Sequence, residues 1–319
     1  MKDQTFASPL ADHLGAYVRL RRSLGFELRS QVNILQQFDR VLRQEMTVPG
    51  PVTPTIIEAF LRRLDGCQPL TRRNQLSTIR QFLRYVQQFE PQTFIPGHLH
   101  EPARSSPQLP HIYTAEEVQA LLKEALLYPF HQPQCPRLTY YTLIAFLYAT
   151  GLRISEALAL KLGDIDWRRS LLQIRKTKFH KARLVPMASS TCSGIKRFLL
   201  DRAEKGHPTT GESPLFVNAK GSRLSYSTAL GAFIRIACRA GVRRSIEVRP
   251  ARIHDLRHSA AVRRLYLWYQ AGKNVQALLP VLATYLGHSS VSSTQVYLTT
   301  TAELLAEASS RFEQHFSFE

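Results

Sequence analysis

Cysteine, acidic side chains and long apolar runs are all scarce in this sequence. The four cysteines, Cys67, Cys135, Cys192 and Cys238, stand far apart, and none belongs to a C-x-x-C pair. That spacing argues against a finger-type zinc site and against a disulfide framework. They read as reduced, mostly buried thiols of a cytosolic protein. The most apolar stretch, Leu143 to Tyr148 and its neighbours, is too short to cross a bilayer and reads as a buried helix. Met1 to Leu10 is polar, so no signal peptide is expected. Internal repeats and low-complexity tracts are absent as well.

The deficit of acid is large. Asp and Glu number 24 against 42 Lys and Arg, a formal charge of +18. A charge of that size implies a polyanionic partner, and nucleic acid comes first. The basic residues are spread along the chain and not gathered in one cluster, which disfavours an anionic membrane surface. Hydrophobic residues at 44% and charged residues at 21% are those of a globular protein. A length of 319 residues favours two domains over one.

Residues 8 to 90 read as four or five helices with no strand between them. Leu10, Leu14, Tyr17, Val18 and Leu24 make one helical stripe, and Val32, Leu35, Phe38 and Leu42 a second. Thr53 before Pro54 can cap a third helix and Thr71 a fourth, the latter burying Leu76, Ile79, Phe82, Leu83 and Val86. The polar faces are rich in arginine. Arg21, Arg22, Arg62, Arg63, Arg72, Arg73 and Arg80 are candidate phosphate contacts. For any single one, a merely solvated helix face is the competing reading.

Five prolines between positions 91 and 110, with Ser105 and Ser106, mark a linker. We therefore expect an N-terminal helical domain over 1–95, a linker over 96–110 and a second domain over 111–319. The second domain opens on a capping box, Thr114-Ala115-Glu116-Glu117. A mostly apolar helix runs to Ala149 and breaks at Gly151. Two short strands follow, around Leu171–Ile174 and Arg183–Pro186, joined by the basic turn Arg175 to Lys181. The remainder reads as helices near 188–205, 225–240, 255–271 and 274–286, with a last one over 301–318. The expected fold is mainly α, with a small β-sheet in the second domain.

Cutting a phosphodiester needs a nucleophile, cations on the non-bridging oxygens and an acid for the leaving oxygen. Arginine suits the second role, because its planar fork matches two phosphate oxygens and keeps its charge. Histidine or lysine suits the third. Tyrosine suits the first when the product is stored as an ester and later reversed. The chain carries these residue types in Ala149-Thr150-Gly151-Leu152-Arg153-Ile154-Ser155-Glu156, in Lys181-Ala182-Arg183-Leu184-Val185-Pro186, in His254-x-x-Arg257, in Leu286-Gly287-His288 and in Thr294-x-x-Tyr297. Each piece alone has an ordinary explanation. Arg153 can pair with Glu156 one turn on, and Tyr297 can be a core tyrosine. His254 and His258 stand four apart, but H-E-x-x-H is absent and no third ligand is evident, so no metal site is expected. His258 reads as a capping or packing residue.

Taken together and in order, these motifs resemble the tyrosine recombinases, the phage-integrase family of site-specific DNA recombinases. The resemblance runs motif by motif from residue 111 to about 300, and His288 precedes Tyr297 by the nine residues of the family pattern. It implies that the N-terminal helices form a core-type DNA-binding domain. It implies that Arg153 and Arg257 clamp the scissile phosphate, that His254 gives acid–base support and that His288 bonds the phosphate or the tyrosine. Tyr297 would form a 3′-phosphotyrosyl bond and release a 5′-hydroxyl. Lys178 would protonate that oxygen, although the hairpin lacks the family's usual glycines, so Lys176 or Lys181 are alternatives and otherwise count as DNA contacts. Neither cofactor nor ATP is needed, because the ester conserves the bond energy.

The implied partners are double-stranded DNA at a specific site, three further copies of the chain joined by exchange of the C-terminal helix, and accessory or sister recombinases. The implied location is the cytoplasm, at the nucleoid. The stretches Arg21 to Phe26, Trp268 to Gly272 and Leu279 to His288 look more like transposon-encoded members. Two other readings compete: a type IB topoisomerase-like enzyme, and a non-catalytic DNA-binding accessory protein on the same fold.

Overall fold

A computed structural model describes residues 6–97, 110–128, 138–175, 182–242, 250–288 and 290–299. The chain divides into two compact units, Met1–Gln108 and Leu109–Glu319.

Four helices build the described part of the first unit: α1 (Ala11–Ser23), α2 (Arg29–Glu45), α3 (Pro54–Arg62) and α4 (Pro69–Val86). Their apolar stripes meet in one core, in which Phe38 of α2 sits edge-on to both Phe60 of α3 and Phe82 of α4. Full burial of such rings is worth about 1.5–3 kcal/mol apiece. The buried Asp39 carboxylate accepts the backbone N–H groups of Ala7 and Ser8, both at 3.0 Å, and so fixes the entry to α1.

Three expectations fail in this unit. Leu24 lies just past the end of α1 and is exposed. Thr71 lies inside α4, which starts at Pro69 behind Gln68. The proline has no N–H to leave unbonded, so it takes the first helical position and moves the start upstream. Arg80 is 9% exposed. Its Nε donates to the Pro96 carbonyl at 2.8 Å and its Nη2 to that of Gly97 at 3.3 Å. It is therefore a buried brace between α4 and the chain at Pro96 and Gly97, and it leaves the set of surface phosphate contacts.

The second unit centres on α6 (Thr139–Thr150), which packs against α5 (Ala115–Leu127), α8 (Ser189–Glu204), α9 (Tyr226–Arg239) and α10 (Asp255–Gln270). The capping box of α5 forms as expected: Thr114 Oγ1 accepts from Glu117 N, and the Glu117 carboxylate accepts from Thr114 N. Gly151 ends α6 in the left-handed region, φ 63°, and turns the chain into α7 (Ile154–Ala159).

The sheet has three antiparallel strands, β1 (Ile165–Asp166), β2 (Leu171–Ile174) and β3 (Arg183–Pro186), with Leu172 opposite Val185. The first strand is an addition to the two expected, and two residues are too short to show a period. α11 (Val275–Leu286) packs on α10 and on β3. The short helix α12 (Ser292–Gln295) and a 3₁₀ turn, Val296–Thr299, complete the described chain.

Among the described cysteines Cys192 is buried, but Cys67 and Cys238 are exposed, against the expectation of mostly buried thiols. Residues 301–318, where the last helix is expected, lie outside the described residues, as do most of the linker and Cys135.

Candidate active site

Three helix ends and one strand meet in the second unit. The first is the junction of α6 and α7. The left-handed turn at Gly151 delivers Arg153 to the start of α7 and places Glu156 on its first turn. The buried Glu156 carboxylate accepts from Arg153 twice, from backbone N at 3.0 Å and from Nη1 at 2.9 Å. The second is the start of α10. His254 precedes the helix, and Arg257 and His258 lie on its first turn. The third is the end of α11, where Gly287 takes the left-handed conformation, φ 68°, and leads to His288. The strand is β3, which contributes Arg183.

Three consecutive carbonyls at the end of α11 are taken by three different arginines. Arg183 Nε donates to Tyr285 O at 2.8 Å, Arg257 Nη2 to Leu286 O at 2.6 Å, and Arg153 Nη2 to Gly287 O at 3.0 Å. A helix C-terminus leaves such carbonyls unbonded and carries partial negative charge, so cations are favoured there. Arg257 also donates from Nη1 to Gly151 O at 2.8 Å, and thereby links the ends of α6 and α11. Arg183 grips both oxygens of Glu156, at 3.0 and 2.8 Å.

The tyrosine is held on the other side. Tyr297, on the 3₁₀ turn, is 3% exposed. Its hydroxyl is 2.9 Å from His258 Nδ1. The His254 ring stands edge-on to that of His258, with centroids 4.9 Å apart, and the His288 ring lies 6.2 Å from that of Tyr297. His288 Nδ1 is 2.8 Å from the hydroxyl of the buried Thr294.

Charge in the site is uneven. Burial pulls Arg257 down to about 10, the Arg153 charge adds to this and Glu156 opposes it; the guanidinium stays cationic at neutral pH. Burial also lowers His258 and His288, each to about 4, with cationic arginines nearby acting the same way. Both are neutral at pH 7. The exposed His254 is lowered by desolvation from its neighbours and then by Arg257. Burial raises the Tyr297 phenol, although Arg257 and Arg153 pull the other way. The resting site thus combines positive arginines with neutral imidazoles and a neutral phenol. That suits an anion with a reactive centre between arginine and tyrosine.

Of the expected residues, Arg153, His254, Arg257, His288 and Tyr297 come together here, from stretches up to 144 positions apart. Lys176, Lys178 and Lys181 lie outside the described residues. Arg21, Arg22, Arg62, Arg63, Arg72 and Arg73 belong to the first unit. There Arg62 and Arg63 are exposed, Arg21 covers the Phe26 ring at 3.9 Å, and Arg72 is 3.7 Å from Asp65.

The sequence reading assigns Arg183 no role, and it gives His258 a capping or packing role, to which the structure adds the bond to Tyr297. A signal for Arg183 exists. It shares a strand face with the buried Val185, and an arginine on an inward face calls for a carboxylate.

The phage integrase family model matches residues 112–303. The chain belongs to the phage integrase family. A putative integrase/recombinase of Sinorhizobium fredii, y4rB, is 36% identical over 302 residues, 94% of this chain and 96% of its own. The tyrosine recombinase XerD of Bifidobacterium longum is 29% identical over 266 residues, 81% of each chain. Among solved structures, the integrase of transposon Tn1549 in complex with transposon right end DNA superposes with a TM-score of 0.67 at 17% identity, covering 96% of this chain and 99% of that one. At that identity the likeness concerns the fold, and both units of this phage integrase family member are within its span.

Proposed function

We propose that the protein is a site-specific DNA recombinase in which Tyr297 attacks the scissile phosphorus, forms a 3′-phosphotyrosyl bond and frees a 5′-hydroxyl. The observation that carries the reading is the convergence of Arg153 and Arg257 on the end of α11 beside the buried Tyr297. Each guanidinium has five N–H groups, and the carbonyl bonds to α11 fix their planes while leaving N–H groups to meet phosphate oxygens. His288 Nδ1 pairs with the Thr294 hydroxyl; with Thr294 as the donor, the ring carries its proton on Nε2, where a phosphate oxygen is a suitable acceptor. Lys178 of the basic turn is the proposed acid for the leaving oxygen, with Lys176 and Lys181 as alternatives. His254 supports the proton movements.

The first unit acts as the core-type DNA-binding domain, and Arg21, Arg22, Arg62, Arg63, Arg72 and Arg73 supply phosphate contacts. Recombination runs through a Holliday junction in a tetramer joined by the C-terminal helix, and serves a mobile element. The +18 charge supports a DNA partner, and the family supports strand exchange.

The experiment uses nicked duplexes built from the DNA flanking the protein's own gene, incubated in excess chelator with wild type and Tyr297→Phe and run on a denaturing gel. A covalent adduct for wild type alone supports the reading. Adduct retained by Tyr297→Phe puts the nucleophile elsewhere. Tight binding with no adduct from either protein rejects cleavage by this chain on that DNA and favours an accessory role.

A further inference from the structure

The hydroxyl of a buried tyrosine nucleophile must lose its proton as it attacks. Among the described residues the group hydrogen-bonded to that hydroxyl is His258, whose Nδ1 lies 2.9 Å from the Tyr297 oxygen. His254, the histidine to which the motif pattern gives acid–base work, immediately precedes α10, four residues before His258, and its ring meets the edge of the His258 ring, not the phenol. The distance falls within the reach required of a general base.

We propose that His258 is a catalytic residue that takes the Tyr297 proton on Nδ1 during cleavage and returns it during religation. The inference rests on the reading of Tyr297 as nucleophile. The step balances as follows. The Tyr297 oxygen forms a bond to phosphorus while the bond from phosphorus to the 5′-oxygen breaks. The phenol proton moves to His258 Nδ1, whose Nε2 already carries one, and a separate acid supplies the proton of the leaving 5′-hydroxyl. In religation the 5′-hydroxyl attacks, and the His258 imidazolium protonates the departing tyrosine. His254, stacked edge-on, limits where the His258 ring can turn and so acts as a positioning residue.

The charges around His258 fit an acceptor. On and before α10 it faces His254, Asp255, Arg257 and Arg252; from the 3₁₀ turn it faces Tyr297, and from the end of α11, His288. Burial first, then His254 and the Arg257 and Arg252 charges, against Asp255, lower the ring to about 4 and keep it neutral. A bound phosphodiester adds one negative charge against those arginines and strengthens the ring's hold on a proton when the proton must be taken.

The test compares single-turnover adduct formation by wild type, His258→Ala, His258→Asn and Tyr297→Phe. It uses nicked duplexes with either oxygen or sulfur at the 5′ bridging position. Asparagine keeps an acceptor oxygen near the place of Nδ1 but is no base. A sulfur leaving group needs no acid, so a defect on the acid side is relieved and a defect on the base side is not.

We expect His258→Ala and His258→Asn to bind DNA as wild type does and to form adduct about a hundredfold more slowly with both leaving atoms. Added imidazole should restore part of the His258→Ala rate and none of the Tyr297→Phe rate. Wild type should lose rate towards acid as His258 protonates, and His258→Ala should lack that limb. Cleavage by His258→Asn within a fewfold of wild type would reduce His258 to a tether and overturn the inference. Rescue of His258→Ala by sulfur would overturn it too, by moving the residue to the acid side. If wild type forms no Tyr297-dependent adduct in the same gel, the reading beneath the inference fails and the inference falls with it.

Discussion

Arg183 and Glu156 form a two-point ion pair in which both guanidinium Nη atoms meet both carboxylate oxygens, at 3.0 and 2.8 Å, with the two side chains only 8% and 4% exposed. The same carboxylate holds Arg153, and the same guanidinium holds the Tyr285 carbonyl. A strand, a helix start and a helix end are thus locked through one buried carboxylate.

Removing one member of such a pair leaves a buried charge without its partner, a loss of about 3–5 kcal/mol. Arg183→Ala and Glu156→Gln should therefore both lower the melting temperature sharply. Their effects should not add, because the second substitution removes a charge that the first has already stranded. A double-mutant cycle by thermal melting measures this; simple additivity would mean that the pair is not coupled. Arg183→Lys should behave like a partial loss, since an ammonium cannot meet two oxygens and a carbonyl in one plane.

Gly287 shows why the chain needs glycine beside His288. Its φ is 68°, and a Cβ there would stand 2.7 Å from Arg183 Nη1 and 2.9 Å from its Cζ. Gly151 has a similar φ of 63°, but the nearest atom to its Cβ would be Leu286 Cδ2 at 3.1 Å. Left-handed strain costs about 1–2 kcal/mol at either position. The contact with the pinned guanidinium adds to it only at Gly287. Gly287→Ala should lose more stability than Gly151→Ala, and Arg183→Ala should relieve part of the Gly287→Ala defect. Equal melting shifts for the two glycine variants would contradict the packing at Arg183.

Much of this arrangement is legible in the sequence. The stripes of α2, α3 and α4, the box at Thr114 and the strands flanking the basic turn follow from period and capping chemistry, which are local. Of the six residues expected at the site, Arg153, His254, Arg257, His288 and Tyr297 lie near one another, and Lys178 lies outside the described residues. What escapes is set by tertiary contact. Arg80 looks like any other arginine on an exposed face until the chain returns at Pro96 to cover it. His258 looks like packing because its partner lies 39 residues away, on a turn too short to show a period. Leu24 and Thr71 fail at helix ends, where one residue of offset reverses exposure.

Stability should depend on pH through the same histidines. His258 and His288 are lowered to about 4, against about 6.5 in an unfolded chain. Between those values the unfolded state binds protons that the folded state refuses, so stability falls as pH drops from about 6.5 to about 4. The full shift corresponds to about 3 kcal/mol per histidine, and solvent screening of these partly exposed rings leaves a smaller loss. Burial pushes Glu156 up, but Arg183 and Arg153 outweigh it and hold the carboxyl below its usual range. Its contribution is therefore present above about pH 4 and is lost only at still lower pH. Melting curves from pH 8 to 4 should show the histidine decline in wild type and a shallower one in His258→Asn. Parallel curves would place the proton uptake elsewhere.

In the first unit, Arg80 and the pair Arg62 and Arg63 should separate stability from DNA affinity. Arg80 is a buried cation bonded to the carbonyls of Pro96 and Gly97. Truncation strands those carbonyls at about 1–3 kcal/mol each where they remain buried. Arg80→Ala should lower the melting temperature and leave the salt dependence of DNA binding unchanged at temperatures where the unit is folded. Arg62 and Arg63 are exposed near the end of α3, and truncation there removes little packing. If they contact phosphates, replacing both with alanine should leave melting nearly unchanged and flatten the slope of log binding constant against log salt by about two. Titrations at several salt concentrations, with melting curves on the same samples, distinguish the two outcomes. A salt slope that changes with Arg80→Ala and not with the Arg62 and Arg63 double variant would reverse the assignment.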